Sequence, residues 1–417
     1  MSSPPTATSA IAAGASTEST HLTSPSAVLA YTKDTPFRVV KAHKLTGGMI
    51  KFVYRLFLSD GISSSDSADV TQQLTTTTAI LKHAAPYTAS NPAFKLANDR
   101  LVYEARALRH VPWRTFVYPP QVDGLCPGVV LPEVYFEDVE NSTILMQDMA
   151  MIEAGEPPMH LDSFSDFCEE AAASERKRLI AQAIGTVLGS FFAQLHDWGR
   201  RTESHTHVRS LFEGNSKVVE LMLEVHLGCL FENVAKAGCK LSPDQERALR
   251  AAIAGLDEAV VRQQDTAVLA DIRPANILLD LEGTERVSRI TVIDWEFTAL
   301  GPSFLDLSNL MAELLFLGFT TRVDSTYADV LDAFARTYRV AGGPLCLRSL
   351  FIMIGAALLE MVASSLARDS EEKQKVRARE CGEYALRLLL DIEKTDFASP
   401  DNDPLMMLSK TLLGALN

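Results

Sequence analysis

The chain has 417 residues, of which 47% are hydrophobic and 22% are charged. This composition is typical of a globular protein with a sizeable core, and the length favours two domains. The formal net charge of -14 disfavours nucleic-acid binding, because phosphate backbones are bound by clustered Lys and Arg. The six cysteines are scattered singly, without the C-x-x-C spacing of a zinc or redox site. We therefore expect small molecules or proteins as partners, with free thiols in a reducing compartment.

The N-terminal segment, residues 1–34, is dominated by Ser, Thr, Ala and Pro and has no apolar period. Such a segment cannot bury enough surface to offset its ordering entropy, so we predict a disordered tail. It lacks the charged-then-apolar pattern of a secretory signal and the Arg-rich character of a transit peptide. The sequence therefore predicts a cytoplasmic location.

Residues 35–148 are predicted to form a first lobe in the order strand, strand, strand, helix, strand, strand. The helix follows from NDRLVYEARALRH (residues 98–110), which places Leu101, Ala105 and Leu108 on one face. From Leu179 onward apolar residues recur at a helical spacing, so residues 149–417 are predicted to form a mainly helical second lobe.

One apolar stretch, residues 349–367, approaches transmembrane length. It contains Glu360 and several serines, which a membrane span would disfavour. We interpret it as a buried helix and expect no membrane partner.

The strongest chemical pattern is DIRPAN (residues 271–276), followed after an apolar run by IDWEF (residues 293–297). Phosphoryl transfer needs one carboxylate to orient the attacking hydroxyl and accept its proton. It also needs an amide oxygen and a second carboxylate to hold magnesium on the phosphates. D-x-x-x-x-N alone is also compatible with a turn that caps a strand. Because both segments border β-type runs joined through a turn at Gly283, together they favour ATP-dependent, Mg2+-requiring phosphoryl transfer.

Over most of residues 36–395 the chain resembles the aminoglycoside phosphotransferase superfamily, and within it methylthioribose kinases. The family loop H-G-D-x-H-P-x-N aligns with residues 269–276. The resemblance implies that Asp271 is the catalytic base or the group that orients the hydroxyl. It also implies that Asn276 is a magnesium ligand and that Asp294 is the principal magnesium ligand. The D-x-E form, which methylthioribose kinases share, makes Glu296 a second candidate metal ligand, with a solvated or salt-bridged glutamate as the alternative.

The resemblance also implies the fold class, which is α+β with a two-lobed, protein-kinase-like fold. A small N-terminal antiparallel sheet lobe with one helix would bind the nucleotide. A large, mainly helical C-terminal lobe would carry the catalytic loop and the acceptor site.

Two positions of the catalytic loop depart from familiar patterns. Leu269 stands where the family has a histidine that braces the metal-binding segment. Arg273 stands where protein kinases carry lysine, so its guanidinium could neutralise charge on the transferred phosphoryl group. The alternative for Arg273 is a surface arginine paired with a nearby acid.

Candidate nucleotide-binding residues come from the first lobe. Gly47 and Gly48 precede a strand and resemble the family's phosphate-covering loop. Lys82 lies on the third strand, where it would pair with the α- and β-phosphates, and Glu104 would hold it extended. By resemblance, the interlobe hinge that reads the adenine edge corresponds to Gln147, Asp148 and Met149. His196 and Asp306 are predicted to be structural, with Asp306 securing the catalytic loop.

The acceptor is predicted to be a small hydroxylated metabolite, either methylthioribose-like or another sugar or amino alcohol. Methylthioribose kinases carry an Arg-Arg pair shortly after an E-M dipeptide, whereas here Glu360-Met361 is followed by VASS. A catalytically weak or inactive nucleotide-binding protein is the main alternative, suggested by Leu269. A protein kinase and an antibiotic-inactivating enzyme are further alternatives, and a homodimer stays open.

Overall fold

The computed structural model of the protein describes ten ranges of residues: 21–45, 50–63, 75–122, 124–150, 159–164, 174–262, 266–283, 286–321, 326–368 and 371–392. By spatial contact the chain divides into two compact units. The first comprises residues 1–98 with 138–143, and the second comprises residues 99–137 with 144–417. The lobe boundary predicted at residue 148 stays a prediction, since the spatial division runs elsewhere and assigns the helix after residue 98 to the second unit.

The first unit contains a short helix, α1 (Pro25–Tyr31), and three strands, β1 (Val39–Lys44), β2 (Phe52–Ser63) and β3 (Thr75–His83). The strand β2 pairs antiparallel with both β1 and β3. Tyr54, Leu56 and Leu58 alternate along β2 and are buried, as the period of a strand with one covered face requires. This sheet confirms the antiparallel strands predicted from the sequence.

The predicted disordered tail is wrong for its last part. Ser24 caps α1 by accepting a hydrogen bond from the Ala27 N–H, and Pro25 occupies the first helical turn, a favourable arrangement for a helix start. Leu22 and Val28 are fully buried, so the segment gains apolar burial that its Ser- and Thr-rich composition conceals. Residues 1–20 of the predicted tail lie outside the described residues.

The strands of the second unit are short. A four-stranded sheet has the order β4-β10-β9-β7, and β8 pairs antiparallel with β11. The strands β9 and β10 form the predicted antiparallel hairpin. The strands β5 and β6 flank the turn at residues 138–143. The strands after β3 are β4 (Val129–Val130), β5 (Val134–Asp138), β6 (Thr143–Gln147), β7 (Met159–His160), β8 (Thr266–Val268), β9 (Ile277–Glu282), β10 (Arg286–Val292) and β11 (Ala299–Gly301).

Helices make up most of the rest of the second unit, which confirms the predicted α+β fold class with a mainly helical C-terminal part. They are α2 (Arg100–His110), α3 (Ser174–Arg200), α4 (Thr202–Phe212), α5 (Lys217–Leu227), α6 (Leu230–Lys236), α7 (Pro243–Arg262), α8 (Phe304–Thr321), α9 (Thr326–Val340), α10 (Leu347–Arg368) and α11 (Glu372–Leu390). The predicted face of α2 is confirmed, because Leu101, Ala105 and Leu108 are all buried.

Within the described residues, two helices, α3 and α10, are long and apolar enough to cross a membrane by length and composition. In α10, 72% of the most apolar window is buried inside the protein, and in α3 the share is 78%. A buried core helix meets the same criteria as a membrane span. The stretch at residues 349–367 is therefore a core helix in this structure, as predicted.

Candidate active site

The catalytic loop runs from the end of β8 to the start of β9 and closes with a 3-10 turn at Pro274–Asn276. The side-chain amide of Asn276 donates through Nδ2 to the main-chain oxygen of Asp271 at 3.0 Å. The main-chain oxygen of Asn276 accepts from the Ile293 N–H, also at 3.0 Å. These contacts join the DIRPAN loop to the segment that carries Asp294. The structure therefore brings the two motifs together, as their spacing predicts.

Asp271 has the electrostatic environment of a carboxyl group held beside another carboxylate. Burial raises its pKa, the negative charge of Asp294 raises it further, and the Arg273 guanidinium opposes the shift, leaving the pKa at about 7. A base works best when its pKa lies near the operating pH. A pKa of about 7 lies in this range near neutral pH, and the role of Asp271 as the base stays a prediction.

Two residues beside the site adopt a backbone conformation that favours glycine. Ala270 has φ +63° and Asp294 has φ +71°, in the left-handed region that non-glycine residues enter at a cost. Ala270 also stands where the resembled family loop has glycine. Conformations of this kind persist only where the surrounding contacts over-determine them.

Asp306, at the start of α8, supplies those contacts for the catalytic loop. Its carboxylate accepts from the Leu269 N–H at 3.0 Å and from the Ala270 N–H at 2.7 Å. Asn309, one turn further along α8, donates through Nδ2 to the Ala270 main-chain oxygen at 2.9 Å. The loop is therefore held through its main chain, and the fully buried Leu269 side chain contributes apolar packing at the position of the family histidine.

His196 stands behind Asp306 in the same buried network. Its Nε2 lies 3.0 Å from Asp306 Oδ2, and its Nδ1 lies 2.9 Å from the hydroxyl of Tyr338. The side chains of His196 and Asp306 are completely buried. This geometry agrees with the structural role predicted for both residues, since neither side chain is exposed to a substrate.

Glu296 lies in a buried ion pair with Arg100 of α2. Arg100 Nε and Glu296 Oε2 are 2.9 Å apart, and the two side chains are 3% and 1% exposed. Glu104, one turn further along α2, accepts a hydrogen bond from the Trp295 N–H at 3.4 Å. This contact corresponds to the salt-bridged alternative for Glu296, and its part in metal binding stays a prediction.

Arg273 is likewise engaged with an acid. Its Nε lies 3.1 Å from Oε1 of Glu313 on α8, and the Arg273 side chain is 45% exposed. Burial raises the pKa of Glu313, and Arg273 opposes that shift. The arrangement corresponds to the paired-arginine alternative, while the charge of Arg273 still acts on Asp271.

The groups around Asp271 fit a magnesium ion chemically. Asp294 and Asn276 supply carboxylate and amide oxygens, which magnesium prefers, and the Nδ2 of Asn276 is already used as a donor. The negative charge that raises the pKa of Asp271 is the kind that a cation would neutralise. Among the described residues no group of three or more His, Cys, Asp or Glu is arranged to hold a metal. Magnesium suits such a site, because it is usually bound by one or two carboxylates together with substrate phosphates.

The predicted nucleotide-binding residues are distributed over both units. Gly47 and Gly48 lie outside the described residues. Lys82 is buried on β3 of the first unit and faces Val53 across the ladder. Glu104 belongs to the second unit, so its pairing with Lys82 stays a prediction.

The predicted hinge lies at the end of β6. The N–H of Gln147 donates to the Glu133 main-chain oxygen at 2.8 Å, and Asp148 Oδ1 accepts from the Ala150 N–H at 3.2 Å. The main-chain oxygen of Met149 accepts from Arg289 Nη2 at 3.2 Å. Hydrogen bonds to Glu133 and Arg289 thus fix the hinge backbone, and its part in adenine recognition stays a prediction.

Sequence reasoning missed several residues of the site, above all Arg100, Glu313 and Asn309. The one-turn spacing of Arg100 and Glu104 on α2 was a readable signal, because residues four apart share a helix face.

Glu360 accepts from Nδ1 of His226 at 2.9 Å, a pairing between separate helices that no local pattern indicates.

Residues 168–344 match the model of the phosphotransferase enzyme family, APH. The chain is 27% identical over 279 residues to the 4-hydroxytryptamine kinase of Psilocybe cubensis. The aligned region covers 65% of this chain and 66% of that protein. It is 26% identical over 277 residues to the 4-hydroxytryptamine kinase of Psilocybe cyanescens, with the same shares. The aligned region thus spans just under two thirds of these curated relatives.

Among solved structures, the choline kinase LicA from Streptococcus pneumoniae aligns with a TM-score of 0.42 and 14% identity, over 87% of this chain and 98% of that chain. The GDP complex of aminoglycoside 2'-phosphotransferase-IIIa aligns with a TM-score of 0.42 and 12% identity, over 88% of this chain and 97% of that chain.

Proposed function

We propose that this chain, which carries a phosphotransferase enzyme family domain over residues 168–344, is an ATP-dependent kinase that phosphorylates a hydroxyl group of a small metabolite. The observation that carries the proposal is the environment of Asp271. Its carboxyl group is held beside Asp294 and Arg273, and its pKa is raised to about 7. The hydrogen bond from Asn276 to the Asp271 main-chain oxygen and the bond from the Ala270 N–H to Asp306 hold the loop that carries it.

In the proposed mechanism Asp271 accepts a hydrogen bond from the acceptor hydroxyl and takes its proton as the hydroxyl oxygen bonds to the γ-phosphorus of ATP. The bond from the γ-phosphorus to the β–γ bridging oxygen breaks, and ADP leaves. Asn276 and Asp294 would hold magnesium, which when bound neutralises charge on the phosphates of ATP. Arg273 would add positive charge beside the transferred phosphoryl group once its contact with Glu313 is exchanged. The proposed contacts to the nucleotide are Lys82, Gly47, Gly48 and the hinge at residues 147–149.

The acceptor is proposed to be a small hydroxylated compound. The two curated relatives are 4-hydroxytryptamine kinases, so a hydroxylated amine is the first compound class to test. Methylthioribose-like sugars and amino alcohols remain candidates. The absence of an Arg-Arg pair after Glu360-Met361 disfavours methylthioribose itself, because two of the cations that would contact it are missing.

The test is phosphoryl transfer from magnesium-ATP to a panel of acceptors, followed by mass spectrometry of the products. The panel should contain 4-hydroxytryptamine, methylthioribose, choline, ethanolamine and an aminoglycoside. We expect one phosphorylated product from the wild type and none from Asp271→Asn, whose amide cannot accept the proton. Asp271→Asn should still bind magnesium-ATP.

Two outcomes would contradict the proposal. Equal turnover by the wild type and Asp271→Asn would remove Asp271 from the mechanism. Binding of magnesium-ATP by the wild type, without turnover on any acceptor or on ATP alone, would favour a catalytically inactive nucleotide-binding protein.

A further inference from the structure

The helix α2 contacts the two residues that follow Asp294, which are Trp295 and Glu296. Arg100 pairs with Glu296 at 2.9 Å, with both side chains almost fully buried. The Trp295 N–H donates to Glu104 at 3.4 Å. Arg100 and Glu104 lie one turn apart and therefore occupy the same face of α2. This face holds the main chain and the side chains directly downstream of Asp294.

We propose that Arg100 and Glu296 are positioning residues that hold Asp294 in the conformation required to bind magnesium. The inference rests on the proposed kinase function and deepens it. It also gives Glu296, which the sequence suggests as a second metal ligand, a role through its buried ion pair with Arg100.

The backbone of Asp294 is the reason that such support is needed. With φ at +71°, Asp294 occupies a region that L-residues leave when nothing holds them there. On its N-terminal side, the Ile293 N–H is bonded to the Asn276 main-chain oxygen at 3.0 Å. On its C-terminal side, α2 holds Trp295 and Glu296. Both chain neighbours of Asp294 are thus held, and the charge of its carboxylate raises the pKa of Asp271.

The electrostatics of the pair agree with a positioning role. A guanidinium and a carboxylate that neutralise each other inside the protein are stable together, whereas either one alone would be a buried, uncompensated charge. Oε2 of Glu296 is bound to Arg100, and the Glu296 side chain is 1% exposed, so the guanidinium fixes the position of this carboxylate. Through the main chain between residues 294 and 296, the pair would then act on the conformation of Asp294.

The test is a double-mutant cycle with Arg100→Met, Glu296→Gln and the combined variant. One readout is the magnesium concentration that gives half-maximal binding of ATP, measured by calorimetry below the melting temperature of each variant. The other is the melting temperature in EDTA without nucleotide. We expect each single variant to need about tenfold more magnesium. The combined variant should need no more magnesium than the more strongly affected single variant, because the two residues act as one unit.

The matched control is the second Arg–Glu pair of the same helix, Arg109 with Glu137. Arg109→Met and Glu137→Gln remove the same chemical groups from a contact that does not touch residues 294–296. We expect both control variants to keep the wild-type magnesium dependence. If Arg100→Met does not fold, Arg100→Lys provides the measurement, and we expect a smaller increase in the magnesium requirement because lysine keeps the charge but not the planar guanidinium.

Different outcomes would contradict the positioning role of Arg100 and Glu296 and the proposed kinase function. Weaker magnesium binding in Glu296→Gln, together with wild-type magnesium binding in Arg100→Met or Arg100→Lys, would overturn the inference and make Glu296 an independent ligand. Lower melting temperatures with unchanged magnesium dependence in both single variants would also overturn it, leaving a purely structural pair. Failure of the wild type to transfer a phosphoryl group, despite this coupled magnesium binding, would count against the proposed function alone.

Discussion

At the residue scale, the raised pKa of Asp271 makes the free energy of unfolding of the metal-free protein depend on pH. Its ordinary pKa is 3.8, and burial together with the charge of Asp294 raises the pKa in the folded protein to about 7. The folded state therefore binds this proton more tightly than the unfolded state does. The resulting stabilisation is present at low pH and is lost as the pH rises through the folded-state value.

We expect Asp271→Asn to be more stable than the wild type in EDTA at about pH 8, and to lose most of this advantage at about pH 5. The asparagine stays neutral beside Asp294 at both pH values. Melting temperatures of the two proteins at each pH measure the effect, and the comparison cancels the contributions of other carboxyl groups. An equal difference in melting temperature at both pH values would show that charging of Asp271 is not its cause.

Ala270 provides a second prediction at this scale. At φ +63° its Cβ is crowded, and glycine would remove that strain while keeping both main-chain hydrogen bonds to Asp306 and Asn309. We expect Ala270→Gly to raise the free energy of unfolding by up to about 1 kcal/mol, measured by urea denaturation with turnover retained.

The matched control is Ala270→Val, because a β-branched residue is a strong outlier in this region of the backbone. We expect it to destabilise the protein and to reduce turnover by displacing Asp271. Equal stability of the valine and glycine variants would show that the left-handed conformation at position 270 is not under strain.

At the element scale, the helices α3 and α9 pack at close range where α3 carries two glycines one turn apart. A Cβ added at Gly185 would lie 2.2 Å from the main-chain oxygen of Val330, and one added at Gly189 would lie 2.5 Å from that of Phe334. These neighbours are backbone atoms, which cannot rotate away. The same helix α3 ends near His196, so its position relative to α9 also fixes the network behind the catalytic loop.

We expect Gly189→Ala to destabilise the protein by about 1–3 kcal/mol, the usual cost of overpacking. Gly255→Ala, on the exposed surface of α7, is the control. Nothing lies within 4 Å of its added Cβ, so the higher helix propensity of alanine should stabilise the protein by up to about 1 kcal/mol. Chemical denaturation measures both, and stabilisation by Gly189→Ala would contradict the close approach of the two helices.

At the scale of the whole molecule, an acidic protein is proposed to bind an anionic nucleotide. The chain has a net charge of -14, and Asp271 and Asp294 add negative charge at the site itself. We therefore propose that a cation accompanies the phosphates. A ligand that binds only the folded state raises the stability of the whole protein according to its concentration relative to Kd.

We expect ATP with magnesium to raise the melting temperature of the wild type clearly, and ATP with EDTA to raise it little. Asp294→Asn should lose most of the magnesium-dependent part, because it removes a metal-side carboxylate while asparagine tolerates the left-handed backbone. Thermal-shift measurements over a range of ATP concentrations check this. Equal stabilisation by ATP with and without magnesium would contradict a metal site at Asp294.

Local chemistry in the sequence was sufficient to predict the elements that carry the site. DIRPAN and IDWEF are short, polar and bordered by apolar β-type runs, so their hairpin and their common location could be predicted. The buried face of α2 and the core position of residues 349–367 follow equally from periodicity. The helix at Pro25–Tyr31 was missed although Ser24 and Pro25 form a local start signal, because composition was given more weight than capping.

Only the tertiary structure decided which partners these residues have. Asp306 could be placed near the loop by resemblance, but its bonds to the N–H groups of Leu269 and Ala270 depend on how α8 packs. The ion pairs Arg100–Glu296 and Arg273–Glu313 each join groups far apart in the chain, so no local pattern distinguishes a metal ligand or a phosphate contact from a salt-bridged side chain. Sequence therefore determined the chemical groups and their local frames, whereas burial and long-range contacts decided the charge, the strain and the partner of each group.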